Sequence, residues 1–194
     1  MTTLVVFFCV LLMAAIAVAC VQIKLVGAKT KAIEAKLKTL TGFHHSQMVV
    51  SCDGLSGLAI DESNAKICIL SNKYNHIVHQ IFDFSDVYSA EIVEDGASIT
   101  KTDRASQVGG AVVGGLLFGG VGAVVGGLSG KKKTLRKIKK INLRITLNDI
   151  SSPIHDVAFL NSEVKEDSFL YKSASDRARS WLGIMDVVIK RSGV

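Results

Sequence analysis

Val108–Leu128 reads VGGAVVGGLLFGGVGAVVGGL, an uncharged run with glycine pairs at 109/110, 114/115, 119/120 and 126/127. Glycine inside a helix costs about 1 kcal/mol relative to alanine, so this density needs a compensating gain. In a membrane or a tight helix pair, small residues let backbones approach closely and gain dispersion and Cα–H···O contacts. The valines, leucines and Phe118 between the pairs argue against a flexible linker. A phosphate-cradling loop is excluded, because Gly130 leads into three lysines with no G-x-x-x-x-G-K-[ST] spacing.

A second apolar run, Leu4–Ile23, is interrupted only by cysteines and Gln22. Its roughly 20 residues match a helix crossing a hydrocarbon core about 30 Å thick. Met1-Thr2-Thr3 lacks the basic start of a cleavable leader, which favours an uncleaved anchor. Ala17-Val18-Ala19-Cys20 leaves a lipoprotein as an alternative, although the leucine usual three residues before such a cysteine is missing. Lys24, Lys29, Lys31, Lys36 and Lys38 all follow the span. By the positive-inside rule the N-terminus lies outside and the rest in the cytoplasm, with the membrane crossed once. Ile23, Val26, Thr30, Ile33, Leu37 and Leu40 then alternate spacings of three and four. That pattern suits a short dimerising stalk or a basic helix lying on headgroups, closed by Gly42 as C-cap.

From Gln47 the period changes. Met48, Val50 and Cys52 share one face of a strand, and Leu58–Ile60, Ala65–Leu70 and His76–Phe82 are short β-rich runs bounded by turn residues. Val87–Val93 and Ala97–Thr102 flank Glu94-Asp95-Gly96, a hairpin signal. Ile141, Leu143, Ile145 and Leu147 alternate with Asn142, Arg144, Thr146 and Asn148, a half-buried strand, and Ile154–Leu160 is another. Ala174, Ala178, Trp181, Met185 and Val188 line one face of a C-terminal helix that can cover the open side of the sheet, Trp181 being its main plug.

The run FDFSDVYSAEIVEDGASITK, the glycine-rich insert, the lysines after it and the strand–strand–helix ending resemble bacterial and prophage PH-like domain proteins with a glycine-zipper insert. The resemblance covers about residues 45–192 and implies an α+β fold: an antiparallel, partly open barrel capped by the C-terminal helix. It implies no catalytic residue and carries no ligand. The chain then divides into an anchor (1–23), a basic juxtamembrane helix (24–42), a β domain (45–103 and 134–192) and the insert (104–133).

Basic residues flank the glycine run on both sides, with Lys101 and Arg104 before it and Lys131, Lys132, Lys133, Arg136 and Lys137 after it. A single crossing would leave one cluster on the wrong side. The flanking strands, read as belonging to one sheet, also suggest that both ends emerge on the same side. The expectation is a hairpin of two short helices turning near Gly119 and packing through Gly110, Gly114, Gly115, Gly119, Gly126 and Gly127. Each arm reaches half-way through a bilayer at most, so the hairpin dips into lipid, oligomerises, or packs on its own domain. The five cations after it form a headgroup-binding collar. Homo-oligomerisation through the stalk or hairpin follows, with the lipid bilayer and a further protein as partners.

Catalytic chemistry finds no support. His76 and His79 fall on opposite faces of a strand, and no H-E-x-x-H, G-x-S-x-G or Cys/His/Asp arrangement occurs. Glu91, Glu94, Asp95 and Asp103 read as solvated turn charges. The four cysteines have no CxxC spacing, and no cofactor is expected. The +6 net charge sits beside the apolar runs without the interleaved aromatics of nucleic-acid binders, so nucleic acid is not an expected partner. The first reading is a non-enzymatic scaffold or sensor at the cytoplasmic membrane face. The alternative is a membrane-active prophage factor for exclusion or altered permeability.

Overall fold

The computed structural model describes residues 2–74, 76–104 and 136–192. The glycine run, and with it the hairpin, its packing glycines and Lys131–Lys133, lies outside the described residues.

Helix α1 (Thr2–Lys38) is unbroken, so anchor and juxtamembrane helix are one element. It ends at Lys38, where Thr39 Oγ1 donates to Lys36 O at 2.7 Å. Gly42, at φ +76°, makes the turn that sends Phe43 inward. Strands β1 (Gln47–Val50), β2 (Ser56–Asp61), β3 (Lys66–Lys73) and β4 (His76–Asp83) form an antiparallel sheet in that order. A 3-10 turn at Phe84–Asp86 leads to the second sheet. There β5 (Val87–Glu94), β6 (Ala97–Asp103), β7 (Lys137–Leu147) and β8 (Ile154–Lys165) are ordered β6-β5-β7-β8. Helix α2 (Phe169–Arg191) follows, with Ser168 accepting from Tyr171 N at its start. The architecture is α+β, as the PH-like resemblance implies.

The local signals are borne out. Asp95 and Gly96 both take positive φ (+48° and +89°) in the β5–β6 turn, the geometry of a tight hairpin. Ile141, Leu143, Ile145 and Leu147 are all buried, as are Ala174, Ala178, Trp181, Met185 and Val188 on α2. Both sheets and α2 share one core, which includes Leu58, Ile60, Ile69, Ile92 and Leu143.

The first sheet is buried on its other face as well. Ala59, Cys68 and Leu70 pack there with Ile33 and Leu37 of α1 and with Phe43. Strand β2 is therefore apolar at consecutive positions, Leu58-Ala59-Ile60, as a strand covered on both sides must be.

The register corrects one expectation. Strands β6 and β7 both pair antiparallel with β5, so they run parallel to each other with β5 between them. Asp103 lies opposite Ser89, near the start of β5. Ile141 lies opposite Glu94, at its end, and Lys137 is four residues further out. At about 3.4 Å per residue, the two ends of the insert are roughly 30 Å apart along the strand direction. They leave and rejoin the sheet at opposite ends, because β5 separates the two strands they connect.

Candidate membrane-facing site

Val6–Lys38 of α1 contains a stretch long and apolar enough to cross a membrane, and none of that stretch is buried in the protein. Phe7, Phe8, Leu11 and Met13 are all exposed. Contact with the domain begins at Val26. A Cβ built on Gly54, which has φ +67°, would lie 2.8 Å from Lys29 Cβ and 3.3 Å from Val26 O. One built on Gly57 would lie 3.1 Å from Ile33 Cγ2. Gly54 lets the helix approach the β1–β2 loop with its backbone at Val26, and Gly57 receives the Ile33 side chain on β2.

The loop is held rigidly for that role. Ser51 Oγ donates to Asp53 Oδ1 at 2.6 Å and accepts from Leu55 N and Ser56 N. Cys52 N donates to Ala158 O at 2.8 Å, tying the loop to β8. Beyond Leu37, the amide of His44 donates to Asp61 Oδ2 at 2.8 Å, and Asn64 adds two more donors to the same carboxylate. Burial opposes the Asp61 charge, but these donors outweigh it and hold the carboxyl below its ordinary range. The turns of α1 expected to pair with a second copy or lie on lipid are thus occupied by the chain's own first sheet.

The basic flanks divide. Arg104 turns inward: its guanidinium donates to Val87 O (2.9 Å), Phe84 O (2.8 Å) and Ser192 Oγ (2.9 Å). It joins the end of α2 to the start of β5 and is a structural residue. Lys101 pairs with Asp103 at 3.3 Å. Arg136 is exposed, and its carbonyl accepts from Glu166 N. Lys137 is exposed and paired with Glu163 at 2.6 Å, and Lys139 reaches the same carboxylate at 3.8 Å. Trp181 lies in the core, as expected of the cap.

Glu94, read as a solvated turn charge, is buried, and so is Asn142 on the polar side of the alternating strand. Glu94 is 5% exposed and accepts from Tyr171 Oη at 3.0 Å. Burial, and then the Glu94 charge, push the Tyr171 hydroxyl up to about 12. Asn142 is 4% exposed, because β7 is an inner strand and Arg144 and Asp156 close over it. Asp95 Oδ1 accepts from Lys139 N and Lys140 N and so aligns the start of β7. Sequence reasoning missed Gly54 and Gly57 as a helix seat. Their signal was two small residues three apart, just before an apolar triplet. A cavity of about 240 Å³ opens between β3–β4 and β8, lined by Ser71, Lys73, Gln80 and His155 among others. Among the described residues, no group of three His, Cys, Asp or Glu could hold a metal ion.

Comparison with known proteins adds a lineage. The family model described as a glycine zipper containing PH domain matches residues 46–161. An immunity protein of Bacillus phage SPbeta is 36% identical over 145 residues, covering 70% of each chain. The SPbeta prophage-derived uncharacterized membrane protein YomJ of Bacillus subtilis (strain 168) is also 36% identical over 145 residues, 70% of this chain. That alignment covers 62% of YomJ, less than two thirds of its length. No solved structure matches.

Proposed function

The chain belongs to the family of PH domains that contain a glycine zipper, and on that footing we propose that it is a membrane-anchored, non-catalytic factor of phage or prophage immunity. In this reading it acts on the bilayer that carries it and excludes incoming phage or alters permeability. The observation that carries the reading is the seating of α1 on Gly54 and Gly57. With the hydrocarbon boundary placed at Ile23, Val26 is about 5 Å further along the helix, inside a headgroup zone about 5 to 7 Å deep. The PH domain then stands against the lipid surface with no free stalk between. Relationship to a phage immunity protein supplies the process. The N-terminus lies outside and the domain in the cytoplasm, by the lysines that follow the span. Gly114 and Gly115 pack helix on helix and assemble copies of the chain, while Lys131, Lys132, Lys133, Arg136 and Lys137 hold lipid headgroups.

The test is phage plating on a sensitive bacterial host expressing the chain. Plaque counts should fall at least tenfold, and Gly114→Leu with Gly115→Leu should restore them while the protein remains folded and in the membrane. Unchanged plating by the unsubstituted chain, across phages related and unrelated to its prophage, would overturn the reading.

A further inference from the structure

We propose that the β3–β4 turn is a second foot on the lipid surface, with Tyr74 and Leu55 seated in the headgroup interface of the membrane that α1 crosses. The proposal rests on α1 spanning the bilayer.

Register places the turn. Ser56, at the start of β2, lies opposite Ser71. Lys73 and Tyr74 therefore continue two and three residues past that point, roughly 7 to 10 Å. Asn72 N donates to Leu55 O at 2.8 Å, which ties this turn to the β1–β2 loop. That loop carries Gly54, against α1 at Val26–Thr30, the first turn beyond Ile23. Both turns thus end on the side of the sheet from which α1 leaves toward the membrane.

Their chemistry suits that place. Tyr74 is 98% exposed and Leu55 45%. Tyr74 also holds φ +51°, a left-handed conformation that L-residues avoid and that glycine adopts freely. An aromatic side chain held wholly outside the fold, on strained backbone, serves no packing in the domain. Tyrosine prefers the headgroup level of a bilayer, and Lys73 and Lys29 beside these residues are drawn to anionic lipid. The opposite turn of the β2–β3 hairpin, Asp61 to Ala65, carries acidic and polar residues instead. The end next to the span carries Leu55, Tyr74, Lys73 and Lys29 with one carboxylate, Asp53, whose Oδ1 is held by Ser51 Oγ and the Leu55 amide.

The test uses the full chain in vesicles of phosphatidylglycerol and phosphatidylethanolamine, prepared with lipid brominated either near the headgroup, to read positions 74 and 63, or at the acyl-chain ends, to read position 12. Single tryptophans replace Tyr74, Ser63 or Leu12, and the common Trp181 emission is subtracted using the unsubstituted protein. Tyr74→Trp and Leu12→Trp should each lose at least half of their added emission, and Ser63→Trp should lose none. Quenching at Leu12→Trp, with Tyr74→Trp quenched no more than Ser63→Trp, would overturn the proposal alone. No quenching at Leu12→Trp would overturn the span and the proposal with it.

Discussion

A methyl group on Gly57 would lie 3.1 Å from Cγ2 of Ile33, so the Ile33 side chain of α1 rests on the bare backbone of the first sheet. This contact makes the C-terminal turns of the N-terminal helix part of the domain.

Enlarging that seat should lift the helix. Gly57→Val forces Ile33 or the strand to move, at about 1–3 kcal/mol, the usual range for overpacking. In detergent, the full chain should melt earlier and become cleavable by trypsin between Lys29 and Lys38. An unchanged melting temperature and trypsin pattern would mean that α1 does not rest on β2.

Trp181→Ala should cost about 3 kcal/mol or more, as loss of a large core side chain does, because Trp181 lies in the core shared by α2 and both sheets. Chemical denaturation of the full chain in detergent measures it. A cost below about 0.5 kcal/mol would mean that the helix does not cap the barrel.

Replacement of the insert should depend steeply on length. With residues 107–133 deleted, six residues remain between Asp103 and Lys137, and a two-residue turn extends them to eight. Fully stretched, at about 3.4 Å per residue, they barely span roughly 30 Å in a straight line, and the path must pass around β5. The two-residue join should lose the β6 or β7 pairing, whereas a twelve-residue Gly/Ser linker should keep it. Amide hydrogen exchange of β6 and β7 distinguishes the two. Equal protection in both variants would show that the insert's ends lie close together.

Acid sensitivity should run through Asp61. Its donors, Asn64 and the His44 amide, hold the folded carboxyl below the ordinary value of 3.8. The unfolded chain therefore binds more protons in that range, and stability rises with pH through it. The contribution is complete above about pH 5 and is lost as pH falls through the lowered folded value. Asp61→Asn should cost about 1–2 kcal/mol at pH 7 and flatten the loss of stability between pH 5 and 3. An acid limb identical to that of the unsubstituted protein would place the responsible carboxylate elsewhere.

The sequence by itself determined what depends on neighbours along the chain. Alternation from Ile141 to Leu147, the Asp95-Gly96 turn and the α2 face through Trp181 each follow from backbone period and local φ preference, and each could be read before any contact was known. The three–four spacing of Val26, Thr30, Ile33 and Leu37 was equally legible as an apolar helical face, but periodicity does not say what a face covers. Tertiary structure decided that the chain's own first sheet covers it, through Gly54 and Gly57. It likewise decided that Glu94 and Asn142 are buried, and that the insert's ends lie at opposite ends of β5. These are properties of strand order: a strand shows the same alternation whichever neighbour it pairs with, so only long-range pairing places β5 between β6 and β7.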